Sequence, residues 1–177
     1  MIDLIADFET SGLYSTTALP LAKLPHATEF YGALVDRKTQ VLIDEVDVLI
    51  KPPIPIPADL EKKIGITNEM VKDEPSFEFH AEAIKSLFDR CDRFVAHNVS
   101  YDWDIATFEF RRLGIELTRP ELLCTVERTE HLKGYPLNLN DLHEHLFGEP
   151  FKGAHRARVD VGALQRCYFE LIDRDEI

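Results

Sequence analysis

Five residues in three separate segments of this 177-residue chain are of the types that hold hard cations and move protons. They are Asp7 and Glu9 in Asp7-Phe8-Glu9-Thr10-Ser11-Gly12, Asp102 in His97-Asn98-Val99-Ser100-Tyr101-Asp102, and His155 with Asp160 in His155-Arg156-Ala157-Arg158-Val159-Asp160. Four carboxylates and a histidine suit a two-metal phosphodiesterase site. The carboxylates would hold two divalent ions, and an imidazole of ordinary pKa near ~6.5 would take a proton from water at neutral pH.

Each segment taken alone also has a plainer reading. Asp7 and Glu9 lie two apart in the branched apolar run Ile2-Asp3-Leu4-Ile5-Ala6-Asp7-Phe8-Glu9, which reads as a strand, so they project from one face. Carboxylates that close repel each other unless a cation lies between them, and Mg²⁺ or Mn²⁺ prefers such oxygen donors. The alternative is an exposed strand end running into a turn. Asp102 falls in the first turn of a helix with its N-cap expected at Ser100, where an acid also suits the helix dipole without doing chemistry. Steps of three and four from Asp102 reach Ile105, Ala106, Phe110 and Leu113, an inward stripe on which a carboxylate needs a partner. Asp104 points elsewhere and is not expected in the site. Asp160 gives the sharpest signal, in register with Leu164, Cys167, Tyr168 and Leu171 on an apolar helical face, where an ionised group is costly unless coordinated or hydrogen-bonded. His155 follows Gly153-Ala154 and is expected in the loop entering that helix; without the carboxylates it would read as a surface histidine.

The elements that must bring these segments together follow an α/β order. A strand over 2–9 leads into an irregular loop, Leu13 to Thr28, interrupted by Pro20 and Pro25; strands near 29–36 and 40–50 form a hairpin about Asp36-Arg37-Lys38-Thr39. Pro52-Pro53-Ile54-Pro55-Ile56-Pro57 is a stiff extended connector. Helices are expected at 58–64 and at 76–90, the latter packing Phe79, Ala83, Leu87 and Phe88. A strand near 93–97, a helix from 100, a short strand at 121–125, helices near 125–133 and 139–147, and a last helix at about 156–173 complete the pass. Three leading strands followed by alternating strands and helices predict a mixed sheet with helices on both faces.

Composition fits a single catalytic domain over 1–177, since 45% apolar residues can build a core without disulfides. Cys91, Cys124 and Cys167 are odd in number and widely spaced, as for buried thiols in a reducing compartment. The first strand begins at once, with no basic leader or long apolar segment, so a cytoplasmic location is expected and membrane insertion is not. A net charge of −12 argues against tight, nonspecific gripping of long duplexes, and favours short contacts with a frayed or single-stranded end or recruitment by another protein.

The ordered set D-x-E at Asp7 and Glu9, H-N-x-x-x-D at His97 to Asp102, and H-x-A-x-x-D at His155 to Asp160 resembles the three motifs of the DEDDh (DnaQ-like) 3′-5′ exonuclease superfamily, and is similar to the proofreading exonuclease domain of bacterial DNA polymerase III. Ile66 to Pro75 and Leu123-Cys124-Thr125 resemble intervening family text. The resemblance implies a ribonuclease H-like α/β fold, with Asp7, Glu9, Asp102 and Asp160 as ligands to two divalent cations, Mg²⁺ with Mn²⁺ able to substitute, and His155 as general base. In the family's scheme Asp7 bridges both ions, Glu9 and Asp160 serve the ion carrying the attacking water, and Asp102 serves the other. It also implies that the backbone near Thr10 meets the terminal 3′-hydroxyl and that Leu13 or Phe151 presses on the last base. Asn98 would position the strand end; a turn-forming asparagine and ordinary loop or core roles for Leu13 and Phe151 stay open. The partner implied is a nucleic-acid 3′ end, DNA before RNA, with a polymerase or another recruiting protein. Because Ile177 follows soon after the last helix, an appended polymerase-binding tail is not expected. An exoribonuclease acting on short RNA or RNA 3′ tails is the alternative, and a noncatalytic nucleic-acid-binding module a further one.

Overall fold

The first strand, β1 (Ile2–Thr10), sorts its side chains between two cores, as a period of two requires. Leu4, Ala6 and Phe8 enter a large core, whereas Ile5 enters a second one on the opposite face. The computed structural model describes residues 1–177. In it β1, β2 (Ala27–Asp36), β3 (Leu42–Leu49), β4 (Arg93–Ala96) and β5 (Glu121–Cys124) form one mixed sheet in the order β3-β2-β1-β4-β5. The β1–β2 and β2–β3 pairs are antiparallel, and β1–β4 and β4–β5 are parallel. Asp36 shapes the hairpin by accepting hydrogen bonds from the Thr39 amide and hydroxyl at 2.8 and 2.9 Å.

The connector after β3 carries two short helices, α1 (Ala58–Ile64) and α2 (Asn68–Val71). The larger core lies beneath α3 (Phe77–Arg90) and α4 (Val99–Arg112). Two short helices, α5 (Thr125–Thr129) and α6 (Leu139–Phe147), precede α7 (Ala157–Asp173), which covers the other face through Ala157, Val161, Leu164, Tyr168 and Phe169. Helices on both faces of a mixed sheet are the architecture expected from the order of elements. No helix is long and apolar enough to cross a membrane.

Several local expectations need correction. In α3 the buried face is Phe77, Ala81, Ile84, Leu87 and Phe88, while Phe79 is 75% exposed and Ala83 is exposed. Phe77 starts a clean i, i+4, i+7 stripe, and Phe79, two residues on, falls on the opposite side. The helix at the second motif begins at Val99, not after Ser100; Asn98 holds the N-cap position in a left-handed conformation, φ 79°, with no side-chain cap. The 13–28 segment contains a 3-10 turn at Leu21–Lys23, and β2 already starts at Ala27. A second 3-10 turn, Glu130–Leu132, replaces the end of the helix expected near 125–133.

Two features of the sheet matter, one for packing and one for the site. Gly32, opposite Ala6, leaves room for the Phe30 ring, since a Cβ there would lie 2.6 Å from Phe30 and 3.1 Å from Leu87. Secondly, β1 pairs with β4 only from Asp3 to Ile5, so its C-terminal half stays bonded to β2 alone and a cleft opens where β4 departs.

Candidate active site

Asp3, Ile5, Asp7 and Glu9 share the face of β1 that α7 covers, and α7 runs back along them. The Tyr168 hydroxyl donates to Asp3 at 2.7 Å, so a helix antiparallel to the strand brings an earlier residue over Asp7. From Asp3 to Asp7 is about 13 Å of strand, and from Tyr168 back to Asp160 about 12 Å of helix. That match of rises explains why Asp160 reaches the first motif.

A cavity of about 480 Å³ opens at this point, lined by Asp7, Glu9, Asn98, Asp102, Phe151, His155 and Asp160 among others. Ligand atoms from Glu9, His155 and Asp160 lie within 4.8 Å of one another. Asp102 arrives from the other side, on the first turn of α4, and its Oδ1 accepts the Phe8 amide at 2.9 Å. That amide sits where β1 has lost its β4 partner, so the carboxylate fills a vacant place in the ladder. Asp160 Oδ2 accepts the His155 amide at 2.9 Å, whereas Asp160 Oδ1 is buried with no partner. His155 itself is exposed, with φ 70°, in the turn before α7.

The carboxyls of the cluster share one largely buried space and raise one another's pKa. Burial, then the nearby Asp160 and Glu29 carboxylates, push the Asp7 carboxyl up to about 8. Glu9 is likewise pushed up to about 8, by burial and then by Asp7, Asp160 and Glu29. Asp102 is raised by burial and Asp7, with the Phe8 amide pulling the other way. Asp160 is raised by burial, partly offset by His155. An all-oxygen donor set with an orphaned buried oxygen and mutually repelling carboxyls fits hard divalent cations.

Other expected residues divide. Asn98 and Phe151 line the cavity, and the Phe151 amide donates to Asn140 Oδ1 at 3.0 Å. Thr10 is buried at a β-bulge, its hydroxyl 2.7 Å from both the Gly12 carbonyl and the Tyr101 hydroxyl, and it does not line the cavity. Leu13 is 77% exposed and lies outside the lining as well. Asp104 turns away and accepts the Tyr14 hydroxyl at 2.7 Å.

Sequence reasoning missed His97, Tyr101, Asn138 and Asn140, which complete the wall. His97 ties the end of β4 to the next segments through Thr125 Oγ1 at 2.9 Å and the Leu137 carbonyl at 3.0 Å, and burial holds its pKa down to about 4. Tyr101 also donates to the Gly12 carbonyl at 2.9 Å and stacks on Tyr14, with ring centroids 5.4 Å apart. Its place next to Asp102 was the available signal; Asn138 and Asn140 offered none.

Comparison with known proteins bears on the family and the fold. A family profile described as Exonuclease (RNase_T) matches residues 4–168. The 3′-5′ exonuclease DinG of Bacillus subtilis (strain 168) is 33% identical over 132 residues, 71% of this chain and 13% of that protein. A DNA polymerase III PolC-type of Caldanaerobacter subterraneus subsp. tengcongensis is 27% identical over 143 residues, 77% of this chain and 10% of that protein. The chain therefore spans only about a tenth of the length of these relatives. Among solved structures, the nuclease domain of 3′hExo, a DEDDh family member, bound to rAMP, superposes with a TM-score of 0.77 at 14% identity, covering 98% of this chain and 92% of that one.

Proposed function

Since the chain belongs to the exonuclease family of the DEDDh superfamily, with its ribonuclease H-like fold, we propose that residues 1–177 act as one catalytic domain that removes nucleoside 5′-monophosphates stepwise from DNA 3′ ends, single-stranded or frayed. The observation that carries this reading is the convergence of Asp7, Glu9, Asp102 and Asp160 with His155 on one cavity, together with the orphaned Asp160 Oδ1.

Asp7, Glu9, Asp102 and Asp160 would hold two divalent cations, Mg²⁺ with Mn²⁺ as a substitute. Bound there, such ions supply Lewis acidity toward water and phosphate and charge for the leaving 3′ oxygen. The protein's own groups do the rest. His155, exposed at the cavity mouth and tethered through its amide to Asp160, accepts a proton from water. Asp102 holds the Phe8 amide through Oδ1, which ties the first turn of α4 to β1. Asn98 and Phe151, which line the cavity, would form the surface against which the terminal nucleotide rests; the backbone near Thr10 and the side chain of Leu13, which the family resemblance adds, lie outside that lining.

DNA is favoured because the sequence relatives are DinG and PolC-type proteins, the second a DNA polymerase by name. A polymerase or other recruiting partner is proposed on the same ground, and the −12 charge agrees with recruitment. The test uses 5′-labelled single strands of DNA and RNA of identical sequence with Mg²⁺, Mn²⁺ or EDTA, alongside Asp7→Ala. A metal-dependent ladder shortening from the 3′ end of DNA, absent in the variant, is the expected result. A faster RNA ladder would make the protein an exoribonuclease, and no ladder under any metal would overturn the enzymatic reading.

A further inference from the structure

One carboxylate in the acidic cluster is not among the four assigned above. Glu29 faces Glu9 across the β1–β2 ladder and is only 2% exposed. Unlike Asp160, it has no free oxygen. Oε1 accepts Arg156 Nε at 2.9 Å and Nη2 at 2.7 Å, and Oε2 accepts the Ala157 amide at 2.8 Å with Arg156 Nε at 3.2 Å. Charge-assisted, two-pronged contacts of this kind fix geometry as well as adding energy.

The residues so held stand between the two reactive members of the third motif. The Arg156 carbonyl accepts the Val159 and Asp160 amides at 2.8 and 3.0 Å, which starts α7 there. Asp160 in turn grips the His155 amide. A chain of contacts thus runs from β2 through Glu29 to Arg156 and Ala157, and from those to His155 and Asp160 on either side. The 150–156 approach to α7 has no helix or strand of its own, so this clamp is what ties its end to the sheet.

We propose that Glu29 is a positioning residue for the exonuclease reaction: through Arg156 and the Ala157 amide it sets where His155 and Asp160 stand relative to Asp7 and Glu9. It is not a cation ligand, because its oxygens are fully engaged. The proposal rests on the exonuclease reading for its kinetic consequence alone; the clamp itself can be tested without activity.

The experiment compares wild type with Glu29→Gln, Arg156→Gln, their combination and Glu29→Asp, by amide hydrogen exchange, Mn²⁺ titration and steady-state kinetics on a DNA oligonucleotide. Expected for Glu29→Gln are exchange faster by about tenfold at residues 155–161 and unchanged in β4, an unaltered number of bound Mn²⁺ ions, and kcat lower by about 10- to 100-fold with KM little changed. The double variant should be no worse than either single one, and Glu29→Asp should recover part of the loss. Unchanged exchange at 155–161 would overturn the proposal, and so would a bound Mn²⁺ lost in Glu29→Gln but kept in Arg156→Gln, which would make Glu29 a ligand. Should Glu29→Gln fail to fold, Glu29→Asp carries the same comparison. If wild type itself degrades nothing, the exonuclease reading fails, while the exchange data still decide the clamp.

Discussion

Asp160, which lines the cavity, grips the amide of His155 with one carboxylate oxygen, at 2.9 Å, and leaves the other buried and unpartnered. One side chain therefore couples the position of the proposed base to that of the proposed cation site. The arrangement is unfavourable without a cation, because the remaining carboxyls crowd the same space.

That cost should appear in the pH dependence of stability. The Asp7 and Glu9 carboxyls rise from ordinary values of 3.8 and 4.5 to about 8 on folding. A folded state that holds protons more tightly than the unfolded chain is favoured at low pH, and this contribution is lost as pH climbs through that interval. In EDTA, the melting temperature of Asp7→Asn should exceed that of wild type by a margin that grows as pH rises from 3.8 to about 8, and Mn²⁺ should reverse the order. A margin independent of pH would contradict the assignment.

His155 lies outside the packed core, so its removal should spare the fold and the cations. His155→Ala is expected to lower kcat by about 10² to 10⁴ while calorimetric Mn²⁺ binding and melting temperature stay near wild type. A collapse of Mn²⁺ binding would show that the imidazole is a ligand instead of a base.

Asp102 has a structural duty that Asn could retain and Ala could not. Asp102→Ala leaves the Phe8 amide without its acceptor, at a cost of about 1–3 kcal/mol in stability. Asp102→Asn keeps a carbonyl oxygen for that amide and loses a charge that burial and Asp7 disfavour, so in EDTA near neutral pH it should melt above Asp102→Ala and no lower than wild type, and yet lose turnover. Chemical denaturation of both variants beside a ladder assay separates the two duties.

Away from the site, Gly32→Ala should destabilise the protein by about 1–3 kcal/mol, because the added methyl meets the Phe30 ring and Leu87. Urea denaturation measures it, and a neutral result would mean that the Phe30 ring can swing aside.

The sheet and the carboxylates were legible because each rests on a periodicity that burial enforces. Alternation put Asp7 and Glu9 on one strand face, and the α7 stripe of Leu164, Cys167, Tyr168 and Leu171 put Asp160 inward. Where two registers compete, as between Phe77 and Phe79, sequence has no way to weigh the partners across the core. The start of α4 was misplaced because Ser100 is a good cap by type, while the chain bends at Asn98 through a left-handed conformation set by its surroundings. Asn138 and Asn140 reach the cavity only by tertiary folding, far along the chain from the other wall. Thr10, expected near the site, has its hydroxyl engaged by Gly12 and Tyr101.

The short β1–β4 ladder, paired only between Asp3 and Ile5, limits how this protein can be hardened. Lengthening a strand pair is a natural way to raise heat tolerance, but any rung added beyond Ile5 would displace Asp102 from Phe8 and seal the cleft. Ruggedness would have to be sought at the far end of the strand, where Asp3 is locked by Arg37 and Tyr168. Directed evolution for thermal resistance should accumulate substitutions at that end and avoid the open one.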